Sequence, residues 1–144
     1  MIDEMENVPV LSVSPSEEDH LILDQILKGS PWRLYARVSL VSAIGALKVV
    51  RFSVILCDCE LKPGSWRDLL EPIALLADPP QLIVTAPAPD QRLWVETMDR
   101  GAYDFLVKPF AGEEVRGTIA SAWRQWWYRS RDRTLASGGG DTQD

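Results

Sequence analysis

Gly101-Ala102-Tyr103-Asp104-Phe105-Leu106-Val107-Lys108-Pro109-Phe110 ends a short apolar run on a lysine that stands directly before a proline. Three earlier apolar runs end in a comparable way. Phe52-Ser53-Val54-Ile55-Leu56-Cys57 stops at Asp58, Gln81-Leu82-Ile83-Val84 stops at Thr85, and Val10-Leu11-Ser12-Val13 stops at Ser14-Pro15. Runs of this length, bounded by polar or turn residues, read as buried strands. An acid, a hydroxyl and an ammonium therefore stand at the ends of three of them.

Segments of helical period separate the runs, which predicts an α/β chain of five βα units, (βα)5, with a parallel sheet covered on both faces. The predicted strands lie near 9–13, 33–38, 52–57, 81–85 and 103–107. The predicted helices lie near 17–28, 40–50, 65–76, 90–99 and 112–131. Arg33-Leu34-Tyr35-Ala36-Arg37-Val38 alternates polar with apolar and reads as an edge strand; Val54-Ile55-Leu56 and Leu82-Ile83-Val84 are continuous and read as central. Ser16 ahead of Glu17-Glu18, and Asp90 after Pro89, supply side-chain acceptors for helix starts, and Gly29 and Gly101 supply stops.

The 144 residues, 46% of them apolar, are the size and composition of one domain, expected over 1–131. From Thr134 to Asp144, with Gly138-Gly139-Gly140, apolar material is too sparse to pack, so 132–144 is expected to be a disordered tail. A formal charge of -6 disfavours direct nucleic-acid binding, which depends on neutralising phosphates. No apolar run approaches the roughly 20 residues that span a bilayer. Cys57 and Cys59 lie too close along one strand to bridge easily, and the N-terminus lacks a basic segment followed by an apolar one; a reducing cytoplasm fits. These two thiols with only His20 make a poor metal site. His20, far in sequence from any acid-base partner, is expected to be solvated.

The four strand ends together resemble the receiver domain of bacterial response regulators, over roughly residues 8–128. The resemblance implies a flavodoxin-like doubly wound sheet of order 2-1-3-4-5, which agrees with the edge and central strands read above. It implies that Asp58 is the phosphoacceptor, attacking a phosphoryl group on a sensor histidine kinase to form an acyl phosphate. It further implies that Thr85 and Lys108 bind the phosphoryl group, that Phe105 is the switch aromatic, and that Pro109 follows a cis bond.

One part of the family pattern is missing. In the family, two acids after the first strand join the acceptor in holding Mg2+, and Ser14-Pro15 cannot supply that charge. Asp58 and Lys108 alone sum to zero, so a phosphoryl group would face only Lys108, and Mg2+ is expected to bind weakly at most. Glu60, Glu17 and Glu18 are the carboxylates within sequence reach of the gap. Lys62-Pro63-Gly64 also departs from the family, which more often has proline at position 62.

In the fifth predicted helix Val115, Ile119, Ala122, Trp123 and Trp126 form a stripe, with Trp127 beside it. Trp126 and Trp127 are interface candidates because large aromatics are enriched at interface centres, and Trp94 is one because the resemblance implies signalling or dimerisation through the surface of the fourth helix, fifth strand and fifth helix. With no module after that helix, output is expected to be protein contact, including a homodimer, and not enzyme activity. The expected function is an atypical receiver of a two-component phosphorelay, accepting phosphate at Asp58 with weakened Mg2+ dependence. The alternative is a pseudo-receiver acting as a phosphorylation-independent interaction module. A flavin carrier is disfavoured, because Ser14-Pro15-Ser16-Glu17-Glu18 has no glycine and its acids would repel the flavin phosphate.

Overall fold

The structure, a computed structural model, describes residues 7–142, and side chains through residue 132. Five strands form one sheet of order β2-β1-β3-β4-β5. They are β1 (Val8–Val13), β2 (Trp32–Arg37), β3 (Val54–Asp58), β4 (Gln81–Ala86) and β5 (Asp104–Val107), and every pairing is parallel. The helices are α1 (Glu17–Leu27), α2 (Leu40–Val49), α3 (Leu70–Ala74), α4 (Gln91–Asp99) and α5 (Gly112–Thr142), with a 3-10 turn at Trp66–Leu69.

Alternate residues of each strand enter two different cores, as a pleated strand requires. Val10, Val54, Leu56, Ile83 and Leu106 meet Leu23 and Leu27 of α1 and Val115, Ile119 and Ala122 of α5. On the other face, Leu11, Val13, Ile55, Cys57, Leu82 and Val84 meet Ala43, Ala46 and Leu47 of α2, with Trp66, Leu69 and Ile73 beyond. Because both faces are covered, the central strands have no polar face, which is why their sequences are unbroken apolar runs. Burying each such side chain contributes roughly 1.5–3 kcal/mol.

Local chemistry sets the helix ends. Ser16, Ser39 and Asp90 cap α1, α2 and α4, each accepting from a backbone N–H three residues on. Gly101, after α4, has φ 95°, a left-handed conformation that glycine adopts without Cβ strain. The predicted 65–76 helix is instead the 3-10 turn followed by the short α3. Pro72 explains the difference: in a continuous α-helix its nitrogen would have to donate to Asp68, and it carries no hydrogen. The expected end of α5 at 131 is also corrected, since its backbone continues to Thr142. The disordered tail expected over 132–144 is at odds with that helical backbone as far as Thr142; residues 143 and 144 lie outside those described.

Candidate functional site

The carboxyl ends of β1, β3, β4 and β5 share one rim, so Ser14, Asp58, Thr85 and Lys108 converge although they are far apart in sequence. Asp58 is the last residue of β3 and the register partner of Thr85 on β4. The Thr85 carbonyl accepts from the Cys59 N–H at 2.8 Å, and the Ala86 carbonyl accepts from the Lys108 N–H at 2.9 Å. These bonds carry the sheet one residue past its strands and hold the acid and the lysine against it. The Lys108–Pro109 bond is cis, as the family resemblance implied, and so is Lys62–Pro63.

Asp58 is only 8% exposed. Its Oδ1 accepts from the Glu60 N–H at 3.1 Å, and its Oδ2 accepts from Lys108 Nζ at 2.7 Å. A second carboxylate, which sequence reading missed, shares that ammonium: Asp19 Oδ2 lies 2.5 Å from Lys108 Nζ. Burial by itself pulls the Lys108 pKa down, but the hydrogen bonds to Asp19 and Asp58 outweigh it and hold the pKa above the ordinary lysine value. The formal sum of the site is therefore one negative charge, not the zero expected from Asp58 and Lys108 alone.

Asp19 reaches the rim because it is the third residue of α1. At that position a carboxylate ordinarily folds back to the N-cap N–H. Here the N–H of Ser16 donates instead to Ser14 Oγ at 3.1 Å, which leaves the Asp19 carboxylate available to Lys108. The Ser14 hydroxyl lies 2.9 Å from Asp19 Oδ2 and 3.5 Å from Asp58 Oδ2. With a single proton to give, it donates to the nearer acceptor. Ser14 thus stands at the end of β1 as a neutral donor to Asp19, with Asp58 at the limit of its reach.

His20 corrects a second expectation, since it is 7% exposed rather than solvated. Its Nε2 lies 2.9 Å from the Ser14 carbonyl and its Nδ1 lies 2.8 Å from Ser12 Oγ. A carbonyl only accepts, so Nε2 carries a proton and donates it, while Nδ1 shares a hydrogen bond with the Ser12 hydroxyl. The imidazole ties α1 to β1 one residue after Asp19. The sequence signal was available: His20 follows Asp19 on the helix turn that faces a strand with an inward serine.

Glu17, Glu18 and Glu60 are exposed, and none is among the carboxylates bonded to Lys108. Phe105 is partly buried against the core on the α2 side. Trp94 and Trp127 are 48% and 41% exposed, whereas Trp126 is 8% exposed. The Trp126 ring lies 4.8 Å from the Arg51 guanidinium, and its N–H donates to the Asp78 carbonyl. It therefore belongs to the packing and presents little surface. Burial, then the neighbouring Asp58 carboxylate, push the Cys59 thiol up to about 11, and the same causes push Cys57 higher still.

The residues do not fit a three-acid Mg2+ site. Two carboxylates converge, both are bonded to the Lys108 ammonium, and the remaining rim position is the Ser14 hydroxyl. Among the described residues no group of three or more His, Cys, Asp or Glu forms a metal site. Nor, among them, is any helix long and apolar enough to cross a membrane.

The sheet order, the placing of the helices and the rim of Asp58, Thr85 and Lys108 decide the fold. The chain has the fold of response-regulator receiver domains. It is similar to the signal receiver domain of a protein described as a Luxo repressor from Vibrio parahaemolyticus, with TM-score 0.80 and 22% identity over 86% of this chain and 95% of that one. A signal receiver domain of an HD domain-containing protein from Pseudomonas fluorescens gives TM-score 0.78 and 21% identity, over 89% and 94%. A CheY-like receiver domain protein from Methanospirillum hungatei gives 0.76 and 15%, over 86% and 99%. The sequence matches no family model and no curated protein. The receiver likeness therefore rests on tertiary structure.

Proposed function

We propose that this receiver-fold domain serves a two-component phosphorelay, accepting a phosphoryl group at Asp58 and signalling by protein contact. The observation that carries this reading is the bond from Lys108 Nζ to Asp58 Oδ2 at 2.7 Å, on the rim where Thr85 is the register partner of Asp58. A lone pair of the Asp58 carboxylate forms the new O–P bond as the P–N bond of a kinase phosphohistidine breaks, and the departing imidazole nitrogen takes up a proton. Lys108 then pairs with a phosphoryl oxygen, Thr85 donates its hydroxyl to another, and Phe105 repacks as the switch aromatic. Mg2+ contributes weakly at most, because the acid pair of the family is Ser14-Pro15. The partners are a sensor histidine kinase, a downstream protein and a second copy of the chain; the acidic balance argues against nucleic acid.

A second reading, a pseudo-receiver that binds partners without phosphate, is favoured by one observation. Asp19 already engages the ammonium on which the phosphoryl group would depend. Incubation with acetyl phosphate or phosphoramidate, followed by intact-mass measurement, separates the two readings. A single phosphoryl increment that is lost in Asp58→Asn supports the phosphorelay. No increment from either donor, or from a phosphorylated histidine kinase, leaves the pseudo-receiver.

A further inference from the structure

The Lys108 side chain arrives from β5 with its ammonium 2.5 Å from Asp19 Oδ2 and 2.7 Å from Asp58 Oδ2. All three groups are largely buried, so water screens them little. Two carboxylates this close repel unless a cation or a proton lies between them. The third neighbour, the Ser14 hydroxyl, supplies a proton for one hydrogen bond but no charge.

We propose that Lys108 is a built-in counter-ion that excludes divalent cations from this rim by occupying the space between Asp19 and Asp58, and that Asp19 is the positioning residue that holds it there. The inference deepens the reading above and rests on it only in taking Asp58 as the acceptor. A divalent cation bridging the same oxygens would have to expel an ammonium whose two hydrogen bonds and two opposite charges are already satisfied. The chain thus offsets one of the two carboxylate charges from within, and Asp19 takes the part of a family acid from the helix instead of the strand end.

The test is direct binding of Mn2+, read from the free-ion electron paramagnetic signal with Mg2+ as competitor and no phosphoryl donor present. Failure of phosphotransfer and failure of this inference are then seen separately. Wild type is expected to bind Mn2+ weakly. Lys108→Met, which keeps the length and loses the charge, is expected to bind it roughly tenfold or more tightly, because the competing positive charge a few ångströms away is gone. Lys108→Met/Asp19→Asn is expected to lose that gain. Thermal melting of each variant establishes that it is folded, and Lys108→Gln replaces Lys108→Met if the latter is not. The inference is overturned if wild type binds as tightly as the folded Lys108 variant, if that variant gains nothing, or if the gain survives Asp19→Asn.

Discussion

Trp127 stacks on Trp123 with ring centroids 5.8 Å apart and planes 15° from parallel, while the Arg131 guanidinium lies 5.8 Å from the Trp127 ring. Trp127 is thus packed on Trp123 and still 41% exposed. Its neighbour on the helix, Trp126, is buried against Arg51 and the Asp78 carbonyl. Adjacent residues of one helix point about 100° apart, which is enough to separate surface from core.

This contrast predicts opposite outcomes for two truncations. Trp127→Ala is expected to weaken self-association or partner binding by roughly 2 kcal/mol with little change in melting temperature. Trp126→Ala is expected to cost about 3–5 kcal/mol of stability. Sedimentation at several concentrations and thermal melting check both; a large loss of stability in Trp127→Ala would place the interface elsewhere.

Ser14→Asp combined with Pro15→Asp is expected to create a Mg2+ requirement. The new carboxylates stand beside Asp19 and Asp58, where like charges repel, so the variant should melt lower than wild type without metal and recover with it. Phosphoryl transfer from acetyl phosphate should then rise with Mg2+. A variant whose melting temperature and transfer rate both ignore Mg2+ would mean that the loop at Lys62-Pro63, not the missing acids, limits the site.

The Lys108 pKa is raised on folding, so its contribution to stability is fully present below the unfolded lysine value of 10.5 and is lost as pH rises through the folded value. Wild type should therefore lose stability above about pH 10.5 more steeply than Lys108→Met, which has no such proton to release. Urea midpoints on either side of that pH measure the difference. Parallel slopes would show that the Asp19 and Asp58 contacts do not hold the lysine proton.

Cysteine reactivity offers a separate probe of the same rim. With its thiol pushed up to about 11 from 9.0, Cys59 should carry roughly a hundredfold less thiolate near neutral pH than an ordinary cysteine. Cys57, fully buried in the α2-side core, should react only on unfolding. Iodoacetamide labelling with peptide mapping checks the order. Rapid neutral-pH labelling of Cys59 would show that burial and the Asp58 carboxylate do not hold its proton as the structure implies.

Much of the architecture was legible because both cores draw on short, uninterrupted apolar runs, and a run such as Val54-Ile55-Leu56 has no other stable home than a strand covered on two faces. The caps at Ser16 and Asp90 were legible for a similar reason, since a short acceptor ahead of a helix acts within three residues. The break in the 65–76 segment was also open to reading, because Pro72 withholds a hydrogen bond in any continuous helix.

The sequence by itself determined which residues end the strands and that no acid directly follows β1; the sheet order that sets Asp58, Thr85 and Lys108 on one rim was implied by the resemblance to receiver domains and is the order the structure has. Only the tertiary structure decided which carboxylate fills the gap. Glu17, Glu18 and Asp19 are chemically alike and consecutive, and composition does not distinguish them. Each step along α1 turns a side chain about 100°, so the packing of α1 on the sheet, the His20 bonds to β1 and the reach of Lys108 from β5 together select Asp19.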